Sequence, residues 1–198
     1  DDLKISQARH HSNRLIALTD VSIRYQQTIV CQNVSFELHQ GERIALRGKN
    51  GSGKSSILKL IMGEDIAYTG QLYLASGLKI SYVQQDTLDL IGGLDAYARE
   101  NGLDESLFKA ILRKLDFSRI QFEKTMESYS EGQKKKVLIA RSLCEQAHVY
   151  IWDEPLNYID VLSRMQIENL ILSHKPTLLF VEHDAAFCEK MATGIVTL

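Results

Sequence analysis

A glycine-rich segment early in the sequence has the residue types and spacing of a phosphate-binding loop. Two glycines enclose four other residues and precede a lysine and two serines; the residues are Gly48, Lys49, Asn50, Gly51, Ser52, Gly53, Lys54, Ser55 and Ser56. In such a loop, glycines let backbone N–H groups approach phosphate oxygens, and the N-terminus of the following helix attracts the anion. Lys54 can then reach the β- and γ-phosphates, while the Ser55 hydroxyl binds Mg²⁺. The segment therefore predicts a site for a magnesium-bound nucleoside triphosphate.

Two adjacent carboxylates, Asp153 and Glu154, follow an apolar run over residues 148–152. The run predicts a buried strand, so both acids would stand at its carboxyl end. There Asp153 can hold the Mg²⁺ shell, and Glu154 can accept a proton from an attacking water. The alternative is a pair of solvated acids at a strand end, and the glycine-rich loop in the same chain argues against it.

These groups meet only if strands and helices deliver them to one place. Residues 15–46 mostly alternate between apolar and polar positions, which predicts a small set of strands before the glycine-rich loop. Helices are expected over 54–63, 132–145, 161–173 and from Ala185 onward, and strands over 72–74, 78–83, 148–152 and 177–181. Residues 94–128 predict a helical insertion, because apolar residues recur three and four apart. Alternating strands and helices indicate an α/β fold with a mainly parallel sheet.

Composition and charge restrict the class of protein. The chain has 198 residues, of which 44% are hydrophobic and only 2 are proline, which is typical of a domain with a real core. Lys plus Arg number 23 against 25 Asp plus Glu, so no domain-wide positive field exists to bind nucleic acid. The run Lys134, Lys135, Lys136 at a predicted helix start is interpreted as a solvated face. The longest apolar runs fall far short of the roughly 20 residues that span a bilayer, so we expect a soluble, cytoplasmic protein without membrane insertion.

The cysteines and the N-terminal residues indicate no further site. Cys31, Cys144 and Cys188 stand far apart without a Cys-x-x-Cys pair, so we expect buried small side chains and neither a zinc site nor a disulfide. Residues 1–14 are polar and aperiodic, and we interpret them as a linker tail with little order. The chain lacks an initiator methionine, and we interpret it as a piece of a longer protein.

Three more segments complete an ordered set. Residues 129–133, Tyr-Ser-Glu-Gly-Gln, precede a predicted helix, where a serine hydroxyl and free N–H groups suit an anion. Glutamines occupy 84–85, and His183 follows the last predicted strand. The chain thus contains, in order, the glycine-rich loop, the glutamine, the Ser-x-Gly-Gln segment, the strand with Asp-Glu and the histidine. This ordered set resembles the ATP-binding cassette (ABC) superfamily of P-loop NTPases over residues 15–198. The resemblance implies ATP and Mg²⁺ as ligands, an N-terminal antiparallel β subdomain and a helical subdomain over about 94–145.

The resemblance implies roles for three residues outside the glycine-rich loop. Gln85 would sense Mg²⁺ and the attacking water, and Gln84, which stands where the family commonly has proline, is the alternative for that role. His183 would contact the γ-phosphate. Tyr25 would stack on adenine, and a half-buried strand tyrosine is the alternative interpretation.

A second group of matches implies a partner. Ser130, Gly132 and Gln133 resemble the signature motif, which departs from the family at Glu131, and Asp160 resembles the D-loop acid. In this superfamily the P-loop of one cassette faces the signature of another, so each ATP site is shared. One P-loop and one signature in this chain imply a second cassette as partner and weak hydrolysis by the chain alone.

Residues 154–160 indicate a branch of the superfamily. The segment Glu-Pro-Leu-Asn-Tyr-Ile-Asp resembles the Glu-Pro-Thr-Asn-His-Leu-Asp of the ABC-F branch and departs from it at Leu156, Tyr158 and Ile159. With the signature, it is similar to the Lsa and Vga type of antibiotic-resistance ABC-F proteins, which carry two cassettes in one chain and bind ribosomes. The resemblance implies the second cassette of such a protein, with residues 1–14 as the exit of the interdomain linker.

Two other functions fit the same residues. The first alternative is the nucleotide-binding subunit of a membrane transporter, which would need a groove for a coupling helix. The second is a nucleotide-gated binding module with little hydrolysis. Glu154 and His183 argue against the second alternative, because a protein that only binds nucleotide has no use for a base.

Overall fold

Residues 3–198, which the computed structural model describes, form two β-sheets flanked by helices. The strands are β1 (Arg14–Tyr25), β2 (Thr28–His39), β3 (Arg43–Arg47), β4 (Tyr68–Leu74), β5 (Ile80–Val83), β6 (Val149–Asp153), β7 (Leu178–Val181) and β8 (Gly194–Thr197). The helices are α1 (Lys54–Ile61), α2 (Leu94–Glu100), α3 (Glu105–Lys114), α4 (Arg119–Phe122), α5 (Glu131–Cys144), α6 (Val161–His174) and α7 (Ala185–Met191), with a 3₁₀ turn at Met126–Ser128.

The two sheets have the predicted character. Five strands form a parallel sheet in the order β5-β6-β7-β3-β8. The long N-terminal strands form an antiparallel sheet in the order β2-β1-β4. The α/β fold with a parallel core sheet and an antiparallel β subdomain is therefore confirmed.

Both faces of the parallel sheet are buried, and β6 shows how its sequence achieves this. Tyr150 and Trp152 pack into the core cluster beneath the helical part, while Val149 and Ile151 pack into the cluster that contains the antiparallel sheet and α1. Successive strand residues point to opposite faces, so a strand buried on both sides needs a continuous apolar run. Trp152 also donates its indole N–H to Ser142 Oγ at 2.9 Å, which ties β6 to α5.

The register of the parallel sheet brings four chain segments to one edge. Leu46 of β3 pairs with Val181 of β7, and Val181 pairs with Asp153 of β6. On the far side of β6, Val83 of β5 pairs with Trp152. Since parallel strands end at the same edge, the segments that follow these four strands lie side by side there.

The helical insertion begins where the sequence predicts it. Helices α2, α3 and α4 precede the long helix α5, and Phe108, Ile111 and Leu112 of α3 join Val137 of α5 in one core cluster. Asp104 caps α3 by accepting a hydrogen bond from Leu107 N at 2.9 Å. The insertion therefore packs as a helical layer on one face of the parallel sheet.

The N-terminal segment corrects one expectation. Ala8 N donates to Ala147 O at 3.1 Å, Gln7 Nε2 donates to His148 O at 2.8 Å, and His10 is only 5% exposed. The expectation of little order is wrong for residues 3–12, because their hydrogen-bond partners lie far away in the sequence and leave no local signal. It is also wrong for Asn13, whose carbonyl oxygen accepts from Gln40 N at 2.9 Å, and for Arg14, which begins β1. The other two residues of the predicted tail, Asp1 and Asp2, lie outside the described residues.

Strand β8 was not predicted. It pairs in parallel with β3, from Ile44 opposite Gly194 to Arg47 opposite Thr197, and forms one edge of the sheet. Its four residues alternate between partly buried and exposed positions. So short an alternation is too weak to identify a strand from the sequence.

Two expectations from composition concern the cysteines and the membrane. Cys31 and Cys188 are buried, Cys144 is partly buried, and all three are free thiols. Burial raises the pKa of the Cys144 thiol to about 12, so this thiol is not reactive near neutral pH. In the described part of the chain, none of the helices combines the length and apolar character needed to cross a bilayer.

Candidate active site

The glycine-rich loop between β3 and α1 folds around the ammonium group of Lys54. Lys54 Nζ donates to the carbonyl oxygens of Gly48 and Lys49, both at 2.8 Å, and reaches Ser52 Oγ at 3.4 Å. The lysine is 6% exposed. These contacts hold a positive charge at the N-terminus of α1, where backbone N–H groups also favour an anion.

Glycine is required inside this loop for two reasons. Gly51 and Gly53 have φ values of 79° and 89°, in the left-handed region that glycine adopts at low cost. A Cβ atom at Gly53 would also lie 2.9 Å from Cys31 Cβ and 3.1 Å from Val30 O, whereas Gly51 faces open space. The loop therefore forms an open cradle whose backbone can approach a ligand closely.

Asp153, at the end of β6, offers a carboxylate oxygen to a cation. The residue is 1% exposed, and its Oδ1 atom has no hydrogen-bond partner among residues 3–198. Burial raises the pKa of the Asp153 carboxyl, and the Ser55 hydroxyl beside it acts in the opposite direction. A buried carboxylate oxygen without a partner, next to a loop hydroxyl, is the kind of oxygen donor set that Mg²⁺ binds, so these residues fit the ion.

Glu154 is held by three side chains. Its Oε2 atom accepts hydrogen bonds from Gln85 Nε2 at 2.9 Å and Asn157 Nδ2 at 2.7 Å, and its Oε1 atom lies 2.8 Å from His183 Nε2. Its φ of 50° is a left-handed value that costs energy for a residue with a side chain. Burial acts to raise the pKa of the Glu154 carboxyl, but the hydrogen bonds from His183 and Asn157 outweigh it, so the pKa lies below its usual value.

Glu182 supports this arrangement and was not identified as a site residue from the sequence. It is 5% exposed; its Oε1 atom accepts from His183 N at 2.9 Å, and its Oε2 atom accepts from Leu156 N at 3.1 Å. Burial raises the pKa of the Glu182 carboxyl. Glu182 thus joins the segment after β7 to the segment that follows Glu154.

The three predicted catalytic residues and six of the predicted P-loop residues line one open cleft of about 580 Å³, whereas Gly48 and Ser52 lie outside its lining. Its lining residues are Val30, Asn50, Gly51, Gly53, Lys54, Ser55, Ser56, Gln85, Glu154 and His183. Of these, only Val30 was not predicted from the sequence, because nothing distinguishes an apolar strand residue that lines a cleft from one in the core. Gln85 rather than Gln84 contacts Glu154, since Gln84 Nε2 donates to Asp86 Oδ1 at 3.3 Å.

Tyr25 lies at the end of β1, beside the start of α1. Its hydroxyl donates to Ser56 Oγ at 3.1 Å, and the residue is 43% exposed. This position is compatible both with stacking on a base and with a half-buried strand tyrosine. Stacking on adenine stays a prediction.

The signature residues form a separate group outside the cleft lining. Ser130 Oγ accepts from Gln133 N at 3.2 Å, and Gln133 Oε1 accepts from Ser130 N at 3.0 Å, which makes a capping box at the start of α5. A Cβ atom at Gly132 would collide with the carbonyl oxygen of Tyr158, so α5 packs directly on the backbone of the 154–160 segment.

The basic run on α5 corrects another expectation. Lys135 and Lys136 are 1% and 7% exposed, so the interpretation as a solvated face is wrong for both. Lys136 Nζ lies 2.7 Å from Asp160 Oδ2, and Asp160 also caps α6 by accepting from Ser163 N at 2.8 Å. Although burial acts to raise it, the pKa of Asp160 is strongly lowered by the hydrogen bond from Lys136. The lysines are buried because the helix start packs against two loops, which the local sequence does not reveal.

Comparison with known proteins identifies a family to which the chain is similar. A family described as "ABC transporter" matches residues 31–157. The chain is 30% identical to the ATP-binding protein Uup of Buchnera aphidicola, across 97% of this chain and 34% of that protein. It is 31% identical to the ribosome protection protein VmlR of Bacillus subtilis, across 89% of this chain and 33% of that protein. It thus spans about a third of the length of these relatives.

Two further similarities involve proteins of about the same length as the chain. The manganese transport system ATP-binding protein MntB of Bacillus subtilis is 29% identical, across 92% of this chain and 82% of that protein. A solved structure of the ATP binding subunit of an ABC transporter superposes with a TM-score of 0.78 at 26% identity, covering 93% of this chain and 85% of that chain.

Proposed function

Because this chain belongs to the ABC transporter family, whose ATP-binding domains hydrolyse ATP, we propose that it is a cassette of an ABC-F protein that acts on the ribosome. ATP binding and hydrolysis are common to the family. The roles of individual residues, the ABC-F branch and the ribosome as target are the proposed part.

The placement of Glu154 on the cleft is the observation that carries the catalytic proposal. Its carboxylate faces the same space as Lys54 and the glycine-rich loop, and its lowered pKa keeps it ionised at neutral pH. An ionised carboxylate beside the end of a triphosphate can accept a proton from the attacking water. Gln85 and His183 hold its two oxygens in a fixed orientation while it does so.

The loop and the acid after β6 would bind the substrate and its metal ion. Lys54 now donates to main-chain carbonyls, and charged phosphate oxygens are stronger acceptors for the same donors. Asp153 and Ser55 would hold Mg²⁺, with Gln85 next to it. When bound, the ion neutralises negative charge on the β- and γ-phosphates. Tyr25 would stack on the adenine ring.

The signature residues are proposed to serve ATP held by another cassette. Ser130, Gly132 and Gln133 lie at the start of α5 and do not line the cleft that contains Lys54. A second cassette, in the same longer chain or in a second copy, would place its own P-loop against them, with Asp160 next to the shared site. Hydrolysis by this chain alone is therefore expected to be weak.

Similarity in sequence supports the ABC-F branch and the ribosome. Both Uup and VmlR are about three times as long as the aligned region, as expected if a chain of this kind is one part of a longer protein. The name of VmlR, a ribosome protection protein, supports a ribosomal target, and residues 154–160 support the Lsa and Vga type. We propose that the parent protein contributes antibiotic resistance and that this chain is its second cassette, preceded by the interdomain linker.

The transporter reading is the second candidate. It is favoured by the similarity to MntB and to the solved ATP binding subunit, both of which have nearly the length of this chain. In that case the chain would bind a membrane subunit through a groove that receives a coupling helix.

Co-sedimentation of the full-length protein distinguishes the two candidates. The Glu154→Gln variant should bind ATP without hydrolysing it and so remain in its ATP-bound state. We expect this variant to sediment with purified ribosomes when ATP and Mg²⁺ are present. The matched control is the Lys54→Ala, Glu154→Gln double variant, which should not bind ATP and should stay in the supernatant.

Two outcomes would contradict the ribosomal proposal. The first is that the trapped variant binds ATP but does not sediment with ribosomes. The second is that the variant distributes with the membrane fraction of a cell extract. The second outcome would support the transporter candidate directly.

A further inference from the structure

Lys135 is a buried cation on α5 that has no part in the function described above. It is 1% exposed, and its Nζ atom donates to the backbone carbonyls of Gln84 at 3.1 Å and Gln85 at 2.9 Å. These are the hydrogen-bond partners of its ammonium group within the described residues. A buried ammonium group is costly unless it is well paired, so its placement on this segment needs a reason.

The segment that Lys135 contacts has little hydrogen bonding of its own. Residues 84–87 follow β5 without helix or strand structure, and Gln85 is exposed. Carbonyl groups in such a segment depend on side chains or water as partners. Thr87 Oγ1 adds a second connection to α5, since it donates to Glu131 Oε2 at 2.6 Å. The segment is thus fastened to the helix at two points.

The same residue, Gln85, also reaches the proposed base. Its backbone carbonyl accepts from Lys135, while its side-chain amide donates to Glu154 Oε2 at 2.9 Å. Because the side chain of Gln85 is exposed, packing does not fix it. The position of its amide therefore depends on the position of its backbone. A shift in that backbone therefore moves the amide away from the carboxylate.

Charges around Lys135 are consistent with this placement. Burial lowers the pKa of the Lys135 ammonium group, and the negative charges of Asp153, Glu154 and Glu182 act in the opposite direction. The lysine thus lies on the side of the site where the carboxylates gather. Its neighbour Lys134 instead pairs with Glu131 at 3.5 Å and is partly exposed.

We propose that Lys135 is a positioning residue for ATP hydrolysis, which holds the backbone of Gln84 and Gln85 so that the Gln85 amide meets Glu154. This inference rests on the proposed role of Glu154 as the base. Lys135 acts through Gln85 and does not itself touch ATP.

The kinetic test uses single-turnover hydrolysis with the full-length protein in excess over ATP. Lys135→Met should lower the rate constant about 10-fold to 100-fold, since a small misplacement of a positioning group has effects of that size. Affinity for a fluorescent ATP analogue should not change. Lys134→Met is the matched control and should keep the rate within twofold. Lys135→Arg should recover part of the lost rate, because it keeps a donor to both carbonyls.

A double-variant comparison separates positioning from a general loss of stability. If Lys135 acts through Gln85, Lys135→Met should cause no further loss in a Gln85→Ala background. A full multiplicative loss in that background would overturn the proposal. So would an unchanged rate constant in folded Lys135→Met. If this variant does not fold, Lys135→Gln replaces it, because its amide keeps one donor, and the same criteria apply.

A spectroscopic measurement tests the inference independently of catalysis. In ¹⁵N-labelled protein, the side-chain amide signals of Gln85 should shift in Lys135→Met and stay in place in Lys134→Met. If the Gln85 signals do not respond to Lys135→Met, the positioning role is wrong. If they respond while Glu154→Gln hydrolyses ATP at the normal rate, the proposed function fails and the contact between Lys135 and the Gln85 segment stands.

Discussion

The P-loop region and the signature region of this chain are built on opposite principles. Around the P-loop, polar groups converge from four strand ends, and the buried Oδ1 atom of Asp153 is left without a partner among the described residues. At the signature, Ser130 and Gln133 satisfy each other in a capping box. The first region therefore keeps a buried carboxylate oxygen without a hydrogen-bond partner from residues 3–198, whereas the polar groups of the second pair with each other.

The backbone supports the two regions in different ways. Glu154 has a φ of 50°, a costly value for a side-chain-bearing residue, and three donors hold its carboxylate. The signature region instead depends on a missing side chain, because Gly132 packs against the Tyr158 carbonyl. Tyr158 itself has a φ of 64°, so a left-handed residue supports both regions, and the regions differ in how their polar groups are paired.

The largest effect should follow from removing the base in the P-loop region. Glu154→Gln should lower the hydrolysis rate by about 10²–10⁴-fold, because it can no longer accept a proton. ATP affinity should stay unchanged, since Lys54 and the loop are intact. A phosphate-release assay and a nucleotide titration measure the two quantities. Glu123→Gln, at an exposed glutamate on the helical layer, is the control and should change neither. Equal loss of binding and hydrolysis would show that Glu154 is not the base.

An intermediate effect is expected in the signature region. Ser130→Ala should leave ATP binding by the chain unchanged and lower hydrolysis on the order of 100-fold, as loss of one oriented donor does elsewhere. Ser118→Ala is the matched control, because Ser118 and Gln121 form the same kind of capping box at the start of α4. Both variants should lose about 1 kcal/mol or less of stability, but only Ser130→Ala should lose activity. Weaker ATP binding in Ser130→Ala would break the contrast between the two regions.

The smallest effect concerns stability and tests whether the buried charge of Asp153 is costly in the absence of a cation. Asp153→Asn should raise the free energy of unfolding by about 1 kcal/mol at pH 7 without Mg²⁺, because it removes a charge whose burial makes ionisation costly. Burial raises the folded pKa of Asp153 above its unfolded value. The cost of ionisation is therefore absent below the unfolded pKa and complete once the pH has risen through the folded pKa.

Denaturant titrations in EDTA at neutral and acidic pH measure this difference. The gain from Asp153→Asn should vanish at acidic pH. Asp160→Asn is the control with the opposite sign at neutral pH, because Lys136 lowers the pKa of Asp160. If Asp153→Asn instead lowers the free energy of unfolding at neutral pH, the ionised carboxylate stabilises the fold and its burial is not costly.

Local spacing was enough to predict the P-loop region. The glycines, Lys54 and Ser55 are consecutive in the chain, and the apolar run before Asp153 identifies its strand directly. Gln85 and His183 are implied by the resemblance to the ABC superfamily, and the parallel sheet, whose strands end at one edge, brings both of them to Glu154. These residues are set by short-range pattern and by sheet topology.

The parts that were missed depend on contacts between distant residues. From the sequence, Lys135 is interpreted as part of a solvated face, because nothing near it in sequence reveals its contact with residues 84–87. Likewise, nothing near Glu182 in sequence reveals its hydrogen bond to Leu156. Residues 3–12 are polar and aperiodic, yet Ala8 pairs with Ala147. Burial of polar groups by long-range packing has no periodic signature in a sequence.

A crystal structure of the Glu154→Gln chain grown with ATP and Mg²⁺ tests the central claim most directly. We expect the triphosphate within the glycine-rich loop, with Lys54 Nζ on its phosphates, Asp153 and Ser55 at the ion, and Ser130 of a second copy facing the γ-phosphate. A triphosphate bound elsewhere, or one contacted by Ser130 of the same chain that supplies Lys54, would contradict the account.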